Sequence, residues 1–223
     1  MEDELDPRFA DLFAPVERPP CQLYLISPLD VGGDFPARLE EALSGGPVAA
    51  FQFRVKGKDQ HEGARLAEPL QRICEAPEVA FIVNDDMALA KRLGADGVHL
   101  GQSDGDPREA RALLGPAAQI GVTCHDSRHL AMDAGEAGAD YVAFGAFFPT
   151  ATKETSHRPD PSILGWWSRL FEIPCVAIGG ITPENGRALV EAGADFLAVC
   201  NAVWGHDKGP AAAVAEFQAV LRR

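Results

Sequence analysis

Eight short apolar runs recur along the chain, each followed by a longer polar-and-apolar segment of helical period. The runs fall at 21–26, 47–53, 79–83, 97–100, 119–122, 141–144, 174–178 and 196–199. Several are almost wholly apolar, as strands covered on both faces must be. The segments between them read as helices over about 35–43, 61–74, 85–93, 107–114, 127–136, 161–171, 184–192 and 209–222. Pro107, Pro161 and Pro183 open three of these, where a missing N–H costs nothing. Gly-Ala-Asp occurs three times, at 94–96, 138–140 and 193–195, each time between a helical segment and an apolar run. Its glycine can take the left-handed turn that ends a helix. Strict alternation of this kind predicts the α/β class and a (β/α)8 TIM barrel. A doubly wound open sheet is the runner-up. Its glycine-rich turn after the first strand is missing, since Ile26 leads into Ser27-Pro28-Leu29.

The chain's 223 residues suit a single domain, here 21–223, preceded by an acidic and then proline-rich extension over 1–20. With 33 acidic and 20 basic residues, the formal charge of -13 argues against a nucleic-acid partner. Small anionic substrates remain open, provided local cations hold them. Five cysteines without a C-x-x-C pair point to reduced core thiols rather than a zinc or disulfide site. The start Met1-Glu2-Asp3-Glu4 lacks a basic, apolar leader, and no apolar run is long enough for a membrane helix. The expectation is a cytoplasmic protein with no membrane partner, with homo-oligomerisation left open.

Chemistry in such a barrel sits at the C-terminal ends of the strands. The second strand is expected to end Phe51-Gln52-Phe53-Arg54-Val55-Lys56, where Gln52, Arg54 and Lys56 alternate and would share one face of an extended segment. Two cations and an amide facing one way suit a phosphate or pyrophosphate, but equally a solvated edge paired with carboxylates. The third run leads straight into Asn84-Asp85 and the fourth leads to Asp104. Carboxylates on neighbouring strand ends can share Mg²⁺ with substrate oxygens, or each can simply cap the next helix. The fifth leads into Thr123, Cys124 and His125. A Cys–His nucleophile there lacks an orienting third residue. Thr150, Thr152 and Lys153 follow the sixth run and could cradle an anion. Gly180 after the seventh and Cys200-Asn201 after the eighth offer backbone N–H groups where barrels build phosphate sites. Two anion sites with a metal between them suggest joining two phosphorylated small molecules as pyrophosphate leaves.

Gln52-x-Arg54-x-Lys56, Asn84-Asp85, the stretch from Gly94 to Asp104, Phe148-Pro149-Thr150-x-Thr152-Lys153 and Ala177-Ile178-Gly179-Gly180-Ile181 occur in one order and spacing. In these the chain resembles the thiamine phosphate synthases, of the superfamily that also holds the thiazole tautomerases, over about 21–222. The resemblance implies a barrel condensing 4-amino-2-methyl-5-hydroxymethylpyrimidine diphosphate with 4-methyl-5-(2-phosphoethyl)thiazole to thiamine phosphate and pyrophosphate. It implies that Gln52, Arg54, Lys56, Asn84, Thr123 and Lys153 hold the pyrimidine diphosphate, and that Asp85 and Asp104 bind Mg²⁺. Thr150, Thr152, Gly180, Cys200 and Asn201 would hold the thiazole phosphate. The chain departs from the family's habit at three places: Thr123 and Asn201 stand where serine is usual, and Ala146 where proline is usual. Two other readings stay open: a thiazole tautomerase with His125 as proton carrier, and a silent homologue that binds thiamine phosphates.

Overall fold

The computed structural model describes residues 7–13, 17–150 and 157–222. Eight strands run parallel and close on themselves in chain order, β1 pairing with β8. They are β1 (Gln22–Ile26), β2 (Ala50–Phe53), β3 (Ala80–Asn84), β4 (Gly97–Leu100), β5 (Gln119–His125), β6 (Tyr141–Gly145), β7 (Cys175–Ile178) and β8 (Phe196–Val199). The intervening helices are α1 (Phe35–Ser44), α2 (Gln60–Glu75), α3 (Met87–Leu93), α4 (Pro107–Leu114), α5 (Arg128–Glu136), α6 (Ser162–Leu170) and α7 (Pro183–Ala192). A one-turn α8 (Asn201–Trp204) and a longer α9 (Pro210–Leu221) follow β8. The predicted barrel is the observed one, and no helix among the described residues is long and apolar enough to cross a membrane.

Alternation along each strand sorts the side chains into two layers. Leu23, Leu25, Phe51, Phe53, Phe81, Val83, Val142 and Phe144 join the helices in one large buried cluster. Each fully buried phenyl ring there is worth about 2–3 kcal/mol of transfer free energy. Tyr24, Ile26, Tyr141, Ala143, Val176 and Ala198 form a second, smaller cluster. Tyr24 on β1 and Tyr141 on β6 are not on neighbouring strands, so their contact runs across the barrel interior.

The three Gly-Ala-Asp repeats share one structural task. Gly94, Gly138 and Gly193 all take positive φ (60°, 89° and 114°) after a helix. The aspartate that follows then turns its carboxylate onto the start of the preceding strand. Asp96 Oδ2 accepts from Phe81 N at 2.7 Å, Asp140 Oδ2 from Ile120 N at 2.7 Å, and Asp195 Oδ2 from Cys175 N at 2.8 Å. Each repeat thereby pins a strand pair at the foot of the barrel, opposite the end where chemistry is expected.

Several boundaries correct the expectations. The second strand stops at Phe53, so Arg54 and Lys56 stand on the loop beyond it. Pro161 is the N-cap of α6 rather than its first helical residue, whereas Pro107 and Pro183 do open α4 and α7.

Candidate active site

Gln52 points into the interior and is buried, its Nε2 donating to Tyr24 Oη at 3.0 Å. Arg54, just above it, is also buried. Ser27 holds its backbone: Arg54 N donates to Ser27 Oγ at 2.9 Å, and Ser27 Oγ donates to the Pro28 carbonyl at 2.9 Å. Arg54 Nη1 is sealed from solvent and meets no hydrogen-bond acceptor among the described residues. A buried cationic N–H without a partner is costly, and an anion bound against it would remove that cost. Lys56 is solvent-exposed on the same loop, free to close over such an anion.

Asn84 ends β3, half-buried and in register with His99 of β4. The next residue, Asp85, takes φ 66° and donates its backbone N–H to the His99 carbonyl at 2.8 Å. That left-handed step delays the helix. Asp86, not Asp85, becomes the N-cap of α3 and accepts from Leu89 N. The same displacement occurs one unit later, where Asp106 caps α4 and accepts from Arg108 N. Asp104 instead folds back on its own turn, its Oδ2 accepting from Gly101 N at 3.0 Å. Neither Asp85 nor Asp104 is therefore used as a helix cap, and both stand half-buried at the ends of adjacent strands. No group of three or more His, Cys, Asp or Glu side chains is gathered for a metal among the described residues. Two carboxylates at adjacent strand ends are of the kind that Mg²⁺ takes together with water and substrate oxygens.

Thr123 on β5 is half-buried, its Oγ1 lying 2.8 Å from His99 Nε2. Cys124 is fully buried, and burial pushes its thiol up to about 12, so it holds no thiolate for attack. A register shift at Cys124 and a φ of 55° at His125 turn the end of β5 outward. There the His125 ring stacks on His157 at 4.5 Å, and His157 Nδ1 lies 2.9 Å from Asp126 Oδ1.

Beyond β6, Thr150 is half-buried, while Thr152 and Lys153 lie outside the described residues. Gly180 sits at φ 62°, where a Cβ would strike the Pro149 carbonyl, so the turn after β7 needs glycine to lie against that loop. Ile178 pairs with Ala198, which sets the turns carrying Gly180 and Cys200 side by side. Cys200 is half-buried at the N-cap of α8, its Sγ 3.6 Å from the Ser27 carbonyl. Burial raises its thiol to about 11, against the pull of nearby Arg54. Asn201 is exposed and lines a cavity of about 420 Å³ with Pro28, Arg38 and Trp204.

Sequence reading overlooked Tyr24, Tyr141 and His99, which join Gln52 to Thr123 beneath this site. The available signal was one polar ring in each of three otherwise apolar strands. Gly121 was a further clue, because a Cβ there would overlap the Tyr141 ring.

Comparison with known proteins identifies the family. The thiamine monophosphate synthase family model matches residues 23–203. The thiamine-phosphate synthase of Erythrobacter litoralis is 71% identical over 193 residues, covering 85% of this chain and 91% of that protein. That of Rhodospirillum centenum is 57% identical over 203 residues, covering 91% and 98%. Among solved structures, the thiamine phosphate pyrophosphorylase of Pyrococcus furiosus superposes with a TM-score of 0.80 at 30% identity, covering 90% of this chain and 95% of its own. The chain belongs to the thiamine monophosphate synthase family.

Proposed function

We propose that this chain joins the aminopyrimidine diphosphate to the thiazole phosphate, releasing pyrophosphate and thiamine phosphate. Arg54 Nη1, buried at the mouth of the barrel and without a hydrogen-bond partner among the described residues, is the observation that carries the reading. Close relatives under the synthase name support it over the tautomerase and the silent binder.

In this reading Arg54, Lys56 and Lys153 grip the diphosphate, with Asn84 and Thr123 adding neutral hydrogen bonds. Asp85 and Asp104 would hold Mg²⁺, which when bound neutralises charge on the diphosphate oxygens. As the carbon–oxygen bond breaks, its electron pair leaves with pyrophosphate, and the cationic side chains stabilise the charge gathering there. The aminopyrimidine ring delocalises the positive charge left on its methylene. The thiazole nitrogen then supplies the electron pair for the new carbon–nitrogen bond, so no protein nucleophile is needed. Thr150, Thr152, Gly180 and the Cys200-Asn201 turn hold the thiazole phosphate at the opposite side. Substrates this highly charged need an aqueous compartment, which fits a cytoplasmic enzyme.

The test is pyrophosphate release from the purified chain with both substrates and Mg²⁺. We expect release only when both substrates and the metal are present, and none with EDTA. Release from the pyrimidine diphosphate alone would make the chain a hydrolase, and thiazole isomerisation without pyrophosphate release would make it a tautomerase.

A further inference from the structure

Five polar side chains form one line across the barrel interior. Gln52 Nε2 meets Tyr24 Oη at 3.0 Å, Tyr24 Oη meets Tyr141 Oη at 3.0 Å, and Tyr141 Oη meets His99 Nδ1 at 3.0 Å. His99 Nε2 then reaches Thr123 Oγ1 at 2.8 Å. The His99 ring also stacks on Tyr141, 5.6 Å between centroids and 24° from parallel. Gly121 leaves the space that the Tyr141 ring fills.

Counting protons gives this line a direction. The Gln52 amide nitrogen can only donate, so Tyr24 accepts from it. Tyr24 has one proton of its own, and Tyr141 is the acceptor within reach. Tyr141, having accepted, gives its single proton to His99 Nδ1. A neutral His99 then carries its ring proton on Nε2 and donates it to Thr123 Oγ1. Thr123 accepts from below, and its own O–H is left to point away from the line, toward the strand end. Burial pushes the Tyr24 phenol up to about 12 and Tyr141 well above its ordinary value, so both protons stay in place. Threonine is stiff at χ1, so Oγ1 keeps its place, and the bond accepted from His99 then sets where its proton points. The reverse order would make Thr123 present lone pairs to an anion, which repels it.

We propose that this line is a one-way hydrogen-bond relay that fixes Thr123 as a donor to the departing diphosphate, with Tyr24, Tyr141 and His99 as positioning residues. No proton is transferred along it. Its effect is to set the His99 tautomer and, through it, the sense of the Thr123 hydroxyl. The proposal rests on the reading in which Thr123 faces the diphosphate.

Nitrogen-15 spectra of histidine-labelled full-length protein test the first half without substrate, with the His99 signal assigned from a His99→Gln sample. We expect neutral His99 protonated at Nε2 and bare at Nδ1. A ring protonated at Nδ1 overturns the relay, whatever any variant does. Tyr141→Phe tests the second half: kcat should fall about tenfold, the worth of one charge-assisted hydrogen bond, with KM for the thiazole phosphate unchanged. In a Thr123→Val background the same change should cost nothing further, because the hydroxyl it serves is gone. Losses that multiply in the double variant would make Tyr141 a structural residue and overturn the relay alone. A parent enzyme that releases no pyrophosphate overturns the functional reading, and the relay's role falls with it.

Discussion

Arg18 Nη1 lies 2.8 Å from Asp195 Oδ2, joining a residue ahead of the first strand to the third Gly-Ala-Asp repeat. The same guanidinium donates to the Ser168 carbonyl at 3.0 Å and to the Phe171 carbonyl, so the fork spans the end of α6 and the foot of β8. Both side chains are only about a tenth exposed, at 10% and 11%. Ahead of it, the short 3-10 helix Pro7–Leu12 packs on α6 and buries Ala10.

Removing that fork should loosen the foot of the barrel without touching catalysis. Arg18→Ala takes the cation from a nearly buried carboxylate and a donor from each of two carbonyls, which costs about 2–4 kcal/mol, or roughly 5–10 °C in Tm at this chain length. Arg18→Lys should recover only part, because an ammonium cannot reproduce the planar fork. Thermal melts read beside turnover would check this, and kcat should stay within about twofold because chemistry lies at the opposite end. An unchanged melt would show that the segment before β1 adds nothing to the folded unit.

The three repeats make a graded stability series. Asp195 is nearly buried, Asp140 is about a third exposed, and Asp96 is exposed, yet each receives one strand N–H. Desolvation makes an orphaned N–H costlier, so the order of loss on changing each to alanine should be Asp195, then Asp140, then Asp96. Urea unfolding should give about 3 kcal/mol for Asp195→Ala and about 1 kcal/mol for Asp96→Ala. An inverted order would mean that the carboxylates act through something other than these bonds.

The barrel was legible because burial on both faces leaves strands as bare apolar runs, and β4 and β8 lie where the runs at 97–100 and 196–199 placed them. Boundaries failed where local chemistry intervened. The run at 47–53 overstates β2, which begins at Ala50. Strand β5 runs past Val122 to His125 because its polar end still pairs with β6. The helix expected from 85 starts at Met87 because Asp85 turns left-handed and Asp86 caps. One-turn α8 is too short to show a period. Tyr24, His99 and Tyr141 escaped notice because a ring inside an apolar run looks like core until non-neighbouring strands are brought face to face.

Thiol chemistry offers a pH-dependent check on the site. The reactive form is the thiolate, and burial holds Cys200 up to about 11 and Cys124 up to about 12. A raised pKa means the thiolate is scarce at neutral pH and grows until the pH nears that value. Iodoacetamide should therefore label Cys200 in the native chain about two orders of magnitude more slowly than an unperturbed thiol near pH 7, speeding up as pH rises. Cys124→Ala should keep turnover within about twofold, with a modest loss of stability from the small cavity it leaves. Loss of turnover in that variant would bring back a thiol nucleophile.

Arg54 should show function and stability pulling apart. Its guanidinium is buried with Nη1 unpartnered among the described residues, a position that costs folding free energy when no anion is bound. Methionine keeps most of the buried stem and discards the charge. Ligand-free Arg54→Met should therefore melt higher than the parent, by about 2–4 °C for each kcal/mol recovered. The same variant should lose about a hundredfold or more in kcat/KM for the pyrimidine diphosphate, since one charge-assisted contact to the leaving group goes. Pyrophosphate with Mg²⁺ should raise the Tm of the parent and leave that of Arg54→Met nearly unmoved, because ligand stabilisation follows affinity. A variant that melts lower and still responds to pyrophosphate would make Arg54 a structural cation, and the diphosphate grip would then have to be sought at Lys56 and Lys153.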